Sequence, residues 1–197
     1  MTGIIQYGAG NIFSLTATLD RAEIPWKLIS RPEELDGFDR YIIPGVGHAG
    51  AAMEKLQSTG MVPLIKNLQK PVLGICVGMQ LLSAHSEEGN ADLLDIVPLQ
   101  TRRFPEQEGL KVPHTGWNSI SWDKPSALFS GIDKGTHMYF VHSYFIEYNP
   151  TFTAAFTEYG PRFSAAVQKG NFFGVQFHPE KSGEPGGRIL KNFSELK

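Results

Sequence analysis

The sequence predicts an α/β fold of three layers, with a mostly parallel central sheet and antiparallel strands in its C-terminal half. Over the first half of the 197 residues, short apolar runs alternate with segments whose apolar residues recur at helical spacing. That alternation builds a sheet covered by helices on both faces. In the second half, strand-like runs follow one another across short polar turns, which predicts hairpins. Glycine-bearing turns end several N-terminal strands abruptly, as expected where parallel strands hand over to helices.

Taken in order, Gly3 to Tyr7 reads as a short buried strand, Gly8-Ala9-Gly10-Asn11 as a turn, and Ile12 to Glu23 as a helix with a regular apolar face. Trp26 to Ser30 and Arg40 to Ile43 are further strands. The second of these ends in Pro44-Gly45-Val46-Gly47, and a helix follows near Ala49 to Gln57. Pro71 to Ile75 is a strand, with Val77 to Ala84 as the helix after it. The strands of the second half are Ile96 to Phe104, Asn118 to Trp122, Met138 to Tyr148, Phe152 to Glu158, Ser164 to Lys169 and Phe172 to Phe177. A last helix, about Gly187 to Leu196, follows Pro185. No internal repeat, low-complexity stretch or shift in composition divides the chain, so residues 1–197 are expected to form a single domain.

With 41% hydrophobic and 19% charged residues the chain has the profile of an ordinary globular protein. Its formal net charge of -2 provides no global attraction for nucleic acid or an anionic membrane, so small molecules or proteins are the expected partners. No apolar run approaches the roughly 18 residues of a helical span. Met1-Thr2-Gly3-Ile4-Ile5 enters a strand directly, without the charged leader and apolar segment of a secretion signal. A single cysteine rules out an internal disulfide and suits a reducing compartment, so a cytoplasmic location is expected. That cysteine is either packing or chemistry.

Gly74-Ile75-Cys76-Val77-Gly78 favours chemistry. Small residues two before and two after a nucleophile allow the tight strand-to-helix turn that lifts its side chain above the sheet. A helix N-terminus there also favours the thiolate and presents free N–H groups to an oxyanion. The alternative, a buried cysteine acting as a small hydrophobe, does not explain both glycines. A thiolate nucleophile needs a base and a group that orients the base. Gly174-Val175-Gln176-Phe177-His178-Pro179-Glu180 supplies both: His178 lies just past an apolar strand, and Glu180 is within reach of its ring. Pro44-Gly45-Val46-Gly47 ends another predicted parallel strand, at the edge where open α/β sheets bind ligands. Read alone, it is simply a turn.

Other chemistries find no support. Gly8-Ala9-Gly10 has Phe13 where a dinucleotide-binding turn needs glycine, and no P-loop is present. His137 and His142, five apart on a predicted strand, face opposite ways, and no histidine spacing suits a metal. No cofactor and no metal are expected.

Read together, these segments resemble the class I (triad) glutamine amidotransferases, and within them the glutaminase subunits of imidazole glycerol phosphate synthase in histidine biosynthesis. The general markers are Gly74-Ile75-Cys76-Val77-Gly78-Met79-Gln80 and His178-Pro179-Glu180. The narrower ones are Tyr7-Gly8-Ala9-Gly10-Asn11, Pro44-Gly45-Val46-Gly47, Val112-Pro113-His114-Thr115-Gly116-Trp117-Asn118, Tyr139-Phe140-Val141-His142-Ser143-Tyr144 and Phe177-His178-Pro179-Glu180-Lys181-Ser182. Gln6 and Thr115 stand where the family commonly has Asp and Met, and neither touches the triad.

The resemblance implies a flavodoxin-like fold, a triad of Cys76, His178 and Glu180, and an oxyanion hole from Val77 with the Val46-Gly47 backbone. It implies that Gln80 and Glu88, helped by main chain around His142, Ser143 and Tyr144, hold the amino-acid end of L-glutamine. It also implies a separate (β/α)8-barrel cyclase subunit, expected as a 1:1 heterodimer, which receives the ammonia and converts PRFAR to imidazole glycerol phosphate and AICAR. Gly10, Asn11, His114, Trp117 and Lys181 match its docking face. From the sequence alone, Trp117 suits a core position as well as an interface anchor. Two readings outside this family are a cysteine peptidase on the same fold, which has no need of Gln80, and a redox-sensing module, against which the intact His178-Pro179-Glu180 counts.

Overall fold

The computed structural model of the chain describes residues 1–196. Its elements are β1 (Thr2–Ile5), α1 (Ile12–Arg21), β2 (Trp26–Ile29), β3 (Arg40–Gly45), α2 (Ala49–Ser58), α3 (Val62–Lys66), β4 (Val72–Cys76), α4 (Val77–Gln80), β5 (Ser83–Ser86), β6 (Ala91–Asp92), β7 (Val97–Arg103), β8 (His114–Ser119), β9 (His137–His142), β10 (Tyr144–Ile146), β11 (Thr153–Glu158), β12 (Arg162–Lys169), β13 (Phe172–Val175) and α5 (Gly183–Glu195). Among the described residues no helix is long and apolar enough to cross a membrane.

The central sheet has seven strands in the order β11-β12-β13-β4-β3-β1-β2. Five neighbours, β13 through β2, run parallel, and β11 and β12 add an antiparallel edge. The expected α/β architecture with antiparallel strands from the C-terminal half is therefore present. The central strands are buried on both faces, as helix-covered parallel strands require: β1, β4 and β13 bury every residue. Register matters most for the site. Gly45 pairs with Cys76, and Val175 pairs with Ile75, so β3, β4 and β13 end side by side.

Several boundaries differ from expectation for physical reasons. The helix expected over Val77 to Ala84 is only the four-residue α4. Leu81 and Leu82 are fully buried, and their carbonyls accept from Leu94, Ile96 and Val97 N–H groups. The chain then joins a four-stranded sheet, β10-β7-β5-β6, because a short apolar run satisfies either period. The single strand expected over Met138 to Tyr148 breaks at Ser143. Before the break β9 pairs with β8, and after it β10 pairs with β7. The last helix begins at Gly183, four residues earlier than expected, because Pro185 sits within the first turn, where a missing N–H costs nothing. Strand β8 starts at His114 rather than Asn118, passing through Gly116 at φ 132°. The short elements α3, β5 and β6 carry too little periodicity to be seen in the sequence.

Candidate active site

Cys76 is the last residue of β4 and the N-cap of α4, with φ 53° and ψ −111°. A non-glycine residue in that region costs about 1–3 kcal/mol and persists only when its surroundings force it. The glycines show what forces it. A Cβ at Gly78 would sit 1.8 Å from the Ile43 carbonyl oxygen, one at Gly74 would sit 2.3 Å from that of Gly78, and one at Gly45 would sit 2.5 Å from the Gly78 nitrogen. The elbow therefore packs backbone to backbone against β3, and Gly45 is as necessary as the two glycines of the motif. Tyr7, just past β1, closes the same contact, donating its hydroxyl to the Pro44 carbonyl at 2.7 Å. Burial first, and then the nearby Cys76 charge, pushes the Tyr7 phenol well above its usual range.

His178 follows β13, and its side chain is buried. Its Nδ1 lies 2.8 Å from Glu180 Oε1, an arrangement in which the Nδ1–H donates to the carboxylate and Nε2 is left for the cavity that His178 shares with Cys76. Burial works against the charged ring, but the hydrogen bonds and charges of Cys76 and Glu180 outweigh it and hold His178 up at about 9. The turn Pro179–Lys181 that carries Glu180 is fastened to β9. His178 N–H donates to the Tyr139 carbonyl at 2.9 Å, and the Ser182 hydroxyl donates to the His178 carbonyl at 2.7 Å while accepting from Tyr139 N–H at 3.0 Å. The candidate base and its orienting group are thus hydrogen-bonded, and the candidate nucleophile lines the same cavity as the base.

A cavity of about 170 Å3 opens in front of the thiol, lined by Val46, Gly47, Cys76, Val77, Gln80 and Glu88 together with Val141 to Tyr144 and His178. Every residue expected at the oxyanion hole or on the substrate is at this one cavity. Val77 N–H, the first of α4, is among the donors a helix start leaves free, and Gly47 adopts φ 89°. Glu88 also has a structural role, since its Oε2 accepts from Ala49 N–H at 2.6 Å and fixes the start of α2 just beyond the Val46-Gly47 turn. Gln80 donates from Nε2 to the Tyr144 carbonyl at 2.9 Å and to Gln176 Oε1 at 3.1 Å. Its Oε1 is buried without a partner.

The break at Ser143 is what wraps the strand around the cavity. Both ring nitrogens of His142 are engaged within the fold, Nδ1 2.7 Å from the Tyr144 carbonyl and Nε2 3.0 Å from His114 Nδ1. Burial lowers both rings, His142 to about 3 and His114 to about 4, so both are neutral. His114 itself is a correction. Expected on a docking face, it is buried, stacked on Tyr159 at 4.0 Å and on Phe140 at 5.0 Å; the alternation of β8 points its ring inward and that of Trp117 outward. Trp117 is 56% exposed, which decides against a core position. It meets Tyr139 edge to face at 6.0 Å, with Lys181 above the same ring. Asn11 caps α1 through Ser14 and shares a small cleft with Val46, His178 and Glu180, and Gly10, at φ 108°, lies against Pro44.

Sequence reasoning missed Gln176, which is fully buried and donates from Nε2 to Cys76 Sγ at 3.7 Å. The available signal was a polar residue inside the apolar run Phe172 to Phe177. Among the described residues, no cluster of three or more His, Cys, Asp and Glu side chains is placed to hold a metal.

Comparison with known proteins finds relatives along nearly the whole chain. The family model for glutamine amidotransferase class-I matches residues 9–196. The chain is 50% identical over 194 residues to the imidazole glycerol phosphate synthase subunit HisH of Bacteroides fragilis, covering 98% of each chain. It is 46% identical to the protein of that name from Moorella thermoacetica over 198 residues, covering 98% of this chain and 93% of the other. Among solved structures, a glutamine amidotransferase aligns with TM-score 0.75 at 17% identity over 98% of this chain and 96% of its own. Another glutamine amidotransferase, from Thermotoga maritima, aligns with TM-score 0.66 at 15% identity, over 98% and 81%. At such identities the structures speak for the fold alone.

Proposed function

The chain belongs to the class-I glutamine amidotransferases, and from that premise we propose that it is the glutaminase subunit of an imidazole glycerol phosphate synthase, hydrolysing L-glutamine to glutamate and ammonia. The observation that carries this reading is the single cavity on which Cys76, His178, Gln80 and Glu88 all open, with a volume that suits one amino acid. The relatives named as HisH, 42–50% identical over nearly the whole chain, support the assignment to histidine biosynthesis.

Cys76 Sγ, its proton held by His178, attacks the side-chain carboxamide carbon of glutamine. The C–S bond forms as the carbonyl electrons move onto oxygen, and N–H groups of Val77 and of the Val46-Gly47 segment receive that oxyanion. His178 gives its proton to the leaving nitrogen, the C–N bond breaks, and ammonia departs from a thioester. Water, deprotonated by the same imidazole, attacks the thioester carbon and displaces the sulfur to release glutamate. Glu180 holds the ring so that Nε2 faces the sulfur throughout. Gln80 and Glu88, with main chain around His142 to Tyr144, hold the amino-acid end of the substrate.

The ammonia passes to a cyclase subunit, where it is used in converting PRFAR to imidazole glycerol phosphate and AICAR. In this reading the two chains form a 1:1 heterodimer in the cytoplasm, docked through the face that carries Gly10, Asn11, Trp117 and Lys181. The test is to mix the purified chain with the cyclase and PRFAR and to follow glutamate release. A rise over the isolated chain is expected, and no rise sinks the assignment. Cys76→Ala abolishes turnover and leaves complex formation intact; retained turnover excludes Cys76 as the nucleophile.

A further inference from the structure

We propose that Gln176 is a positioning residue of the reaction: its carboxamide donates to the Cys76 sulfur and ties that sulfur to the residue that holds the substrate, Gln80. This deepens the reading above and rests on it. The two buried amides can point only one way. The Tyr144 carbonyl can only accept, so the Gln80 group facing it at 2.9 Å is the Nε2 amide. The second hydrogen of that nitrogen points at Gln176, so the atom receiving it at 3.1 Å is Gln176 Oε1. Gln176 is left with its Nε2 toward Cys76 Sγ, 3.7 Å away. One backbone carbonyl thus orders both side chains and delivers a hydrogen-bond donor to the sulfur.

The same carbonyl accepts from His142 Nδ1, and His142 Nε2 accepts in turn from His114 Nδ1. Both rings are kept neutral by burial, so each has one N–H and the direction of the chain is fixed. His114 Nε2 meets Asn118 Nδ2 at 3.4 Å. Hydrogen bonds thus converge on the Tyr144 carbonyl from β8, the strand that exposes Trp117, and from the Gln80–Gln176 pair that reaches the thiol. Gln80 Oε1 is buried without a partner, on a side chain that lines the cavity.

The chemistry follows from the donor. An N–H aimed at sulfur favours the anionic sulfur over the thiol and restrains Sγ from turning out of line with the incoming carboxamide.

The test replaces Gln176 by Met, which fills a similar volume without donor or acceptor, and by Glu, which keeps the acceptor for Gln80 and removes the donor once ionised. Two readouts are made: kcat and KM for glutamine in the complex with the cyclase, and the rate of Cys76 alkylation by iodoacetamide in the isolated chain, followed by mass spectrometry. For both variants kcat falls by about 10- to 100-fold, the range for a lost hydrogen bond to a charged group, while KM changes less than about threefold. Alkylation near neutral pH slows by about tenfold and converges with the unaltered chain at strongly alkaline pH, where hydroxide ionises the thiol unaided. Slow alkylation that persists at alkaline pH reports a misplaced sulfur and overturns the donor role. Unchanged alkylation and kcat in a variant that folds, as judged by circular dichroism, also overturn it. Should the Met variant fail to fold, the Glu variant decides alone. Alkylation does not depend on the cyclase, so a lack of glutaminase in the unaltered complex counts against the proposed function and leaves this inference to be judged separately.

Discussion

Replacing Cys76 by Ala lowers the pH at which His178 titrates. In the folded chain the imidazole is raised from 6.5 to about 9 although burial pulls it down, so the upward push of its two partners exceeds that net rise. Alanine removes the sulfur as a partner and leaves the burial, which disfavours the charged ring, in place. His178 then falls from about 9 toward its ordinary value of 6.5, and each pH unit of that fall corresponds to about 1.4 kcal/mol of lost interaction. The sign has a second consequence. A raised imidazole stabilises the fold fully below its unfolded value of 6.5, and that contribution is lost as pH rises through about 9; in the alanine variant the loss is complete at lower pH. Imidazole carbon-proton NMR resonances followed between weakly acidic and alkaline pH measure the titration, with His178 assigned by its absence from a His178→Asn variant. A His178 that titrates within about half a pH unit of the unaltered chain refutes the view that the sulfur is its main partner.

Glu180→Gln keeps a side chain that can accept from Nδ1 but loses the negative charge; kcat in the complex falls roughly 10²- to 10⁴-fold with little change in KM, and a loss under tenfold would remove Glu180 from the triad. Gly78→Ala drives a methyl into the Ile43 carbonyl oxygen at 1.8 Å. Urea unfolding should show a loss of at least about 3 kcal/mol, and stability within about 1 kcal/mol of the unaltered chain would mean that the elbow is not tightly packed. Trp117→Ala changes the stability of the isolated chain by under about 1 kcal/mol but weakens the cyclase complex by about 2 kcal/mol, roughly 30-fold in Kd, as read by titration calorimetry. His142, lowered to about 3 by burial, is neutral in the fold and charged in the acid-unfolded chain. His142 therefore contributes a loss of stability of up to about 1.4 kcal/mol per pH unit as pH falls below 6.5, beside the share of His114, and His142→Gln removes its own share of that slope in urea unfolding measured at several pH values.

Much of the fold was visible because its signals are local. Strands buried on both faces show as unbroken apolar runs, and the ends of β3 and β4 are punctuated by glycine. The pattern misleads where it is locally ambiguous and a distant partner decides. Leu81 and Leu82 continue a helical pattern, yet their carbonyls go to Leu94, Ile96 and Val97. Nothing near Ser143 announces that β9 and β10 belong to different sheets. Of the site, Cys76, His178 and Glu180 were legible because an elbow and a Pro-flanked histidine have chemical reasons for their spacing. Gln176 was not, since a lone polar residue in an apolar strand signals burial but not its partner.

The sequence by itself determined that a lone cysteine stands on a strand-to-helix elbow, that a histidine and a carboxylate two residues apart are available to serve it, and that parallel strands bring their ends to one edge. These follow from bonded neighbours and from side-chain periodicity. Only the tertiary structure decided that β3, β4 and β13 are adjacent and in the register that sets Gly45, Cys76 and Val175 close together. It also decided that His114 is buried while Trp117 is exposed, and that one carbonyl at Tyr144 orders two amides toward the sulfur. Those outcomes depend on contacts between residues tens of positions apart, whose pairing comes from the packing of the whole sheet and is encoded in no single segment.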